Sequence, residues 1–181
     1  MAATSTVSMI ASLVQMDIGL ASAWGFQNVS ATSTSLSYED RAGALRFTFA
    51  GHAFKLMAES IVGSRLVETP ELNRATIHRA THYVKAFTDE TKSTIFLTAG
   101  TAREGSKVSI DLENFGEIGY AFAVALDQDK TRLDDGSYFM GPIVKDHKVS
   151  FQGSVVETNF LSKGSLIRII SYGEDNFRDG K

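Results

Sequence analysis

IGYAFAVAL, residues 118–126, is the stretch whose alternation decides the fold. Successive side chains of a strand point to opposite faces, so Tyr120, Phe122, Val124 and Leu126 lie on one side and Ala121, Ala123 and Ala125 on the other. Both sides are apolar and one is kept small. Such a strand belongs at the centre of a packed sheet, where the alanine face lets a second layer approach closely.

The sequence downstream and just upstream carries the same period. Val108, Ile110 and Leu112 alternate with Ser109, Asp111 and Glu113, residues 94–98 form a compact apolar run, and 137–144, 148–152, 155–160 and 166–172 read as further strands. Gly141-Pro142, Gly153 and Lys163-Gly164 punctuate them. Short strands with turns at intervals of roughly eight to twelve residues point to a sandwich or barrel rather than a parallel sheet.

The first half is less uniform. Leu36 and Tyr38, a turn over 39–43, then Leu45, Phe47 and Phe49 predict a hairpin over 33–49 with one aromatic face. Residues 51–57 are expected to continue the sheet, with Phe54 and Leu56 together, and 58–67 reads as either helix or strand. Thr69, Pro70 and Glu71 form a helix-start signature: a hydroxyl cap, a proline whose missing N–H is harmless, and an acid at the positive end of the dipole. Leu72, Ala80, Tyr83 and Phe87 then share a face, which predicts a helix over 70–88. The competing reading is a strand ladder over 76–87. Residues 5–24 read equally as helix, with Met9, Leu13, Met16, Leu20 and Trp24 opposite a line of serines, or as strand over 15–20.

The expected fold is therefore mainly β, a sandwich or open barrel with one helix packed near 70–88. It is read as a single domain over 1–181, with an N-terminal arm over 1–25, a hairpin unit over 26–68, the helix over 69–88 and a C-terminal β unit over 93–172. A length of 181 residues suits one domain. The chain has no cysteine, which removes thiol catalysis, disulfides and Cys-ligated metals. A net charge of −3 with no basic cluster argues against nucleic acid. No apolar run is long enough to span a bilayer, and the start lacks a signal-peptide opening, so a cytoplasmic or particle-assembled protein is expected.

Candidate chemistry is sparse. His78 and His82 stand four apart, yet Arg79 occupies the place where a zinc-protease pattern needs Glu, and Arg74 and Lys85 make that face basic. Asp127, Asp129, Asp134 and Asp135 suggest a calcium loop, but Arg132 and Tyr138 stand where an EF-hand needs Gly and Glu, so a solvated turn is expected. There is no G-x-S-x-G elbow and no phosphate loop. Glu113 and Glu117 are a carboxylate pair of the type that flanks a sugar, a pattern any acidic β protein offers. The aromatics most exposed by their turn neighbours are Trp24, Tyr138 and Tyr172, which are candidates for stacking on carbohydrate.

These readings lead to an expected non-enzymatic assembly protein without cofactor or metal, such as a phage or virus particle component. It would form a symmetric homo-oligomer through sheet edges and an N-terminal arm presenting Met9, Leu13, Met16 and Leu20. The alternative is a carbohydrate-binding or adhesion β-sandwich.

Overall fold

The computed structural model describes residues 2–16, 27–28, 35–40, 42–67, 82–99, 103–128, 131–132, 138–139, 141–162 and 164–174. In chain order the elements are α1 (Ala2–Gln15), β1 (Gln27–Asn28), β2 (Ser37–Glu39), β3 (Leu45–Phe47), α2 (Phe49–Ala58), β4 (Arg65–Val67), β5 (His82–Thr88), β6 (Lys92–Ala99) and β7 (Lys107–Asp111). A 3-10 turn, Glu113–Phe115, leads to β8 (Ile118–Gln128), β9 (Thr131–Arg132), β10 (Tyr138–Phe139), β11 (Pro142–His147), β12 (Val149–Gln152), β13 (Val155–Asn159) and β14 (Leu166–Gly173). The protein is mainly β with helices packed on it, as its alternation predicts.

The central sheet runs β11-β8-β14-β6-β5-β4 with every pairing antiparallel. The alanine strand β8 lies inside it, between β11 and β14. Ala121, Ala123 and Ala125 join Ile95, Leu97, Ile167 and Ile169 on one face and meet Val156 of a second sheet, β12-β13-β7, and Phe160 just after β13. Ala125 is fully buried. The small face thus sets the spacing of a two-sheet sandwich, as the sequence of β8 requires.

The opposite face carries Phe87, Phe96, Leu126 and Leu166, all fully buried, and is covered by α1 and α2. Ala3, Val7 and Ala11 of α1 and Ala53, Leu56 and Met57 of α2 close this second core. Four-residue spacing puts Ala3, Val7 and Ala11 on one line of the helix, and two of the three are small, so α1 packs closely. Tyr83 secures it: its hydroxyl accepts from Ser8 Oγ at 2.5 Å. Between α2 and the sheet stands Arg168, only 8% exposed. Its Nη1 donates to the Leu56 carbonyl at 3.3 Å and to Glu59 Oε2 at 3.4 Å, a cation placed at the negative end of a helix.

Several expectations are corrected. Residues 49–58 form a helix, not a continuing strand. Thr48 caps it, accepting from the Gly51 N–H at 3.0 Å, and Ala50, Ala53, Leu56 and Met57 fall on its buried side. The described part of the expected 70–88 helix, 82–88, is β5, in line with the competing strand reading; 70–81 lies outside the described residues. The β2–β3 hairpin forms, with Ser37 opposite Phe47 and Tyr38 opposite Arg46. Tyr38 and Phe47 therefore face opposite ways, and the hairpin has no single aromatic face. Of the ambiguous stretch 5–24, residues 5–15 belong to the helix α1 and 17–24 lie outside the described residues; the buried line is Ala3, Val7 and Ala11. Met9 and Met16 on the other side are 49% and 61% exposed.

Candidate functional site

Cross-strand register builds a polar row at one end of the central sheet. Arg65 pairs with Thr88, Thr88 with Ser93, Ser93 with Ser171, and Ser171 with Ala121. Directly paired residues share a face, and Ser93 is two residues before Ile95, so the row lies on the side that faces the second sheet. Inward of it the same face carries the apolar Ala86, Ile95, Ile169 and Ala123. The row marks where the core ends.

Opposite stands the connection that follows β7. The Leu112 N–H donates to the Ser154 carbonyl at 2.9 Å and Ser154 Oγ to Asp111 Oδ1 at 2.7 Å, while Phe115 closes the 3-10 turn on Leu112 at 2.7 Å. Gly116, at φ +92°, then turns the chain into β8. Between the row and this turn runs a groove of about 760 Å³, lined on one side by Arg65, Val67, Ala86, Thr88 and Ser93. Asp111, Leu112, Glu113, Asn114 and Phe115 form the other wall. Its volume falls in the usual range for small-molecule sites. A hollow of about 670 Å³ adjoins it around Gly63, Arg65 and the β5–β6 turn.

That turn is held by Asp89. Its Oδ1 accepts from the N–H and hydroxyl of Thr91, both at 2.8 Å, and from the Lys92 N–H at 2.9 Å; Oδ2 accepts from Ser64 Oγ at 3.1 Å. Burial alone raises the carboxyl pKa, but the four donors outweigh it and hold the group below its ordinary value. Asp89 is an anchor. Asp111, Glu113 and Asn114 are exposed side chains at the groove, and Phe115 is a half-buried ring beside them. The groove thus offers carboxylates, an amide, a guanidinium and one aromatic surface.

On the reverse side of the same sheet end, Tyr172 pairs with both Lys92 and Tyr120. The rings of Tyr120 and Tyr172 stack at 6.5 Å between centroids and 27° between planes, and Phe122 lies 6.0 Å from Tyr120. Of the aromatics singled out from sequence, Tyr172 is therefore part of a three-ring cluster. Trp24 lies outside the described residues; Tyr138 is in β10, opposite Arg132. Among the residues proposed for an interface, Met9 and Met16 are exposed, Leu13 is half-buried and Leu20 is outside the described residues. Glu113 lines the groove and Glu117 does not.

His82 opens β5 and His78 lies outside the described residues. Asp129, Asp134 and Asp135 do too, and Asp127 is not in a turn but near the end of β8. There Oδ2 takes Lys145 Nζ at 2.7 Å and Oδ1 takes Ser165 Oγ at 2.6 Å and the Gln128 N–H at 2.9 Å. Burial raises this carboxyl's pKa, yet the Lys145 and Ser165 bonds, the Gln128 N–H and the Lys145 charge together bring it down to about 2. A lowered pKa means that the folded state binds the proton less well than the unfolded chain. The resulting stability is present above about pH 3.8 and is lost as pH falls toward 2. Asp127→Asn is expected to cost about 2 kcal/mol at neutral pH, with the difference from wild type vanishing near pH 2 in chemical-denaturation series. A constant difference across that range would mean the carboxylate's charge is irrelevant. Among the described residues no group of three or more His, Cys, Asp or Glu stands together as metal ligands. None of the described helices is long and apolar enough to cross a membrane.

The groove residues Arg65, Ser93, Asp89 and Phe115 were not singled out from sequence. Asp89 alone left a signal, an Asp-Glu-Thr turn between two strands.

No protein-family model matches the sequence, and no curated protein does. The fold does recur in solved structures. A family 51 α-L-arabinofuranosidase from Bifidobacterium longum is similar over 95% of this chain and 35% of its own, with a TM-score of 0.60 and 14% identity. A glycoside hydrolase family 30 subfamily 8 xylanase from Clostridium acetobutylicum is similar over 95% of this chain and 38% of its own, with a TM-score of 0.58 and 14% identity. An arabinose-bound family 51 α-L-arabinofuranosidase is similar over 78% and 22%, at 0.52 and 14%. The chain spans little more than a third of the length of these structures at most.

These likenesses show a fold that recurs within glycoside hydrolases. They overturn two expectations drawn from sequence, that of a phage or virus assembly component and that of a protein outside enzymes, because the similar structures named above are glycoside hydrolases. The sequence led astray through elimination: without a catalytic motif or a cysteine, only architecture was left to reason from.

Proposed function

We propose that the chain handles carbohydrate at the groove end of the sandwich, as a polysaccharide-engaging unit of glycoside-hydrolase type. The observation that carries this reading is the groove itself, where Phe115 stands beside Asp111, Glu113 and Asn114 across from a row of hydroxyls. A sugar residue has an apolar C–H face and a rim of hydroxyls. An aromatic ring covers the first, and carboxylates and amides accept and donate to the second. Support also comes from the structural neighbours, described as a xylanase and arabinofuranosidases, which direct the choice of ligands to xylan and arabinoxylan.

Affinity electrophoresis in gels containing soluble xylan or arabinoxylan tests the reading. Wild-type protein is expected to be retarded, and Phe115→Ala to weaken binding by about tenfold, the worth of one well-placed aromatic contact. The same samples are assayed for release of reducing sugar, the reaction that a carboxylate pair in this groove would support. A wild-type protein retarded by neither polysaccharide and releasing no sugar would rule the proposal out.

A further inference from the structure

The inner end of the groove has a feature that general sugar binding does not explain. Ser93 lines it at 3% exposure, and its register partner Ser171 is fully buried, with an Oγ that has no hydrogen-bond partner among the described residues. A buried hydroxyl left unbonded costs about 1–3 kcal/mol, and alanine in its place would avoid that cost. Directly paired residues hold their Cβ atoms about 4.5–5.5 Å apart, so a rotation about χ1 brings the two hydroxyls within bonding reach. Beyond Ser171 the row ends on Ala121 and the apolar core. The sheet side of the groove is therefore closed beyond Ser93, where Ser171 and Ala121 are buried.

We propose that Ser93 and Ser171 form a hydroxyl-reading inner end of the groove, which receives the terminal sugar residue of a main chain or a side branch. Ser93 contacts a hydroxyl of that residue. Ser171 is a positioning residue, donating to Ser93 Oγ so that the Ser93 proton points outward to the sugar. This deepens the carbohydrate reading and rests on it. A site whose buried Ser93 proton is directed at the ligand by Ser171 discriminates strongly against a sugar lacking the matching group.

Calorimetric titration with xylotetraose, long linear xylan and arabinoxylan, compared at equal mass of sugar, tests the proposal. The wild type is expected to show more sites per gram on xylotetraose than on linear xylan, because ends are counted rather than length. If arabinoxylan matches xylotetraose, the end recognised is a branch; if it matches linear xylan, it is a main-chain end. Ser171→Ala is expected to weaken xylotetraose binding by about fivefold while leaving the melting temperature of the free protein unchanged or raised. A residue with only a structural role would not move the two in opposite directions. Ser93→Leu, which plugs the inner end, is expected to abolish the preference for ends. Equal site densities on short and long xylan, or unchanged binding in Ser171→Ala, would overturn the proposal and leave the groove as a general carbohydrate site. No binding of any ligand by the wild type would overturn both.

Discussion

Ala125→Leu is expected to destabilise the protein by about 3 kcal/mol, near the upper end for overpacking a filled core. Ala125 is fully buried on the side of β8 that meets the second sheet, where it belongs to the same cluster as Val156, Phe160 and Ile167. Leucine adds three carbons to a layer whose spacing is set by three alanines in a row of alternate positions. The second sheet is short, since β12, β13 and β7 have four, five and five residues. Its Val156, Val108, Ile110 and Val149 pack on the same cluster, so extra volume at Ala125 pushes it outward. For a domain of this size each kcal/mol shifts the melting temperature by about 2–4 °C, so a fall of about 10 °C is expected by circular dichroism. The comparison is Val144→Leu on the edge strand β11, 39% exposed, for which a change within about 0.5 kcal/mol is expected. Equal melting temperatures for the two variants would show that the alanine face is not what sets the spacing of the sheets. The groove would report the same displacement, because its outer wall, Asp111 to Phe115, continues directly from β7.

The difference between what the sequence shows and what it hides follows from how far each feature reaches along the chain. β8 is legible because the nine residues 118–126 keep one period with both faces apolar, as a central strand does. The helix α2 is hidden because Phe54 and Leu56 alternate as a strand would, and the deciding evidence is the Thr48 cap, a bond to a backbone N–H three residues away. In β5, Tyr83, Lys85 and Phe87 face the helices while Val84 and Ala86 face the second sheet, and this near-continuous apolar run also fits a helix. The signature at Thr69-Pro70-Glu71 tips the sequence reading the wrong way there. Asp127 looks like one of a set of acids in a turn, yet its partners Lys145 and Ser165 come from elements 18 and 38 residues later. The groove is the extreme case. Arg65, Thr88, Ser93 and Ser171 are spread over more than a hundred residues and become a row only through the register of four strands. No local pattern announces them. Tyr172, singled out because an aromatic beside a glycine at a strand end is expected to be open on one side, is half-buried and stacks on Tyr120, with Phe122 beside that ring.

Gly51→Ala separates local propensity from tertiary packing more sharply than any other single change, because the two predict opposite signs. Gly51 lies in the first turn of α2, and alanine in a helix is favoured over glycine by about 1 kcal/mol. Its backbone is also helical, so no left-handed conformation requires a glycine there. In the folded protein, however, a Cβ on residue 51 would stand 1.8 Å from the Leu36 carbonyl oxygen and 2.8 Å from its carbon. Both are backbone atoms of the segment entering the β2–β3 hairpin, and no rotamer change relieves the contact. The hairpin and the helix must separate. That segment is tied down from two directions, since the Thr48 N–H donates to the same Leu36 carbonyl at 3.1 Å and Thr48 Oγ1 donates to the Ser35 carbonyl. Moving Leu36 therefore also disturbs the cap that starts α2, and with it the seating of Leu56 and Met57 on Phe87 and Phe96. A net destabilisation of about 3 kcal/mol is expected, the upper part of the range for overpacking, with the propensity gain already absorbed. Ala58→Gly at the exposed far end of the helix is the partner experiment and should cost less than about 1 kcal/mol. Hydrogen exchange gives the local readout: the Thr48 amide is expected to lose protection in Gly51→Ala beyond what the global loss of stability accounts for. A Gly51→Ala variant as stable as wild type, with the Thr48 amide still protected, would show that the hairpin does not press on the helix in this way.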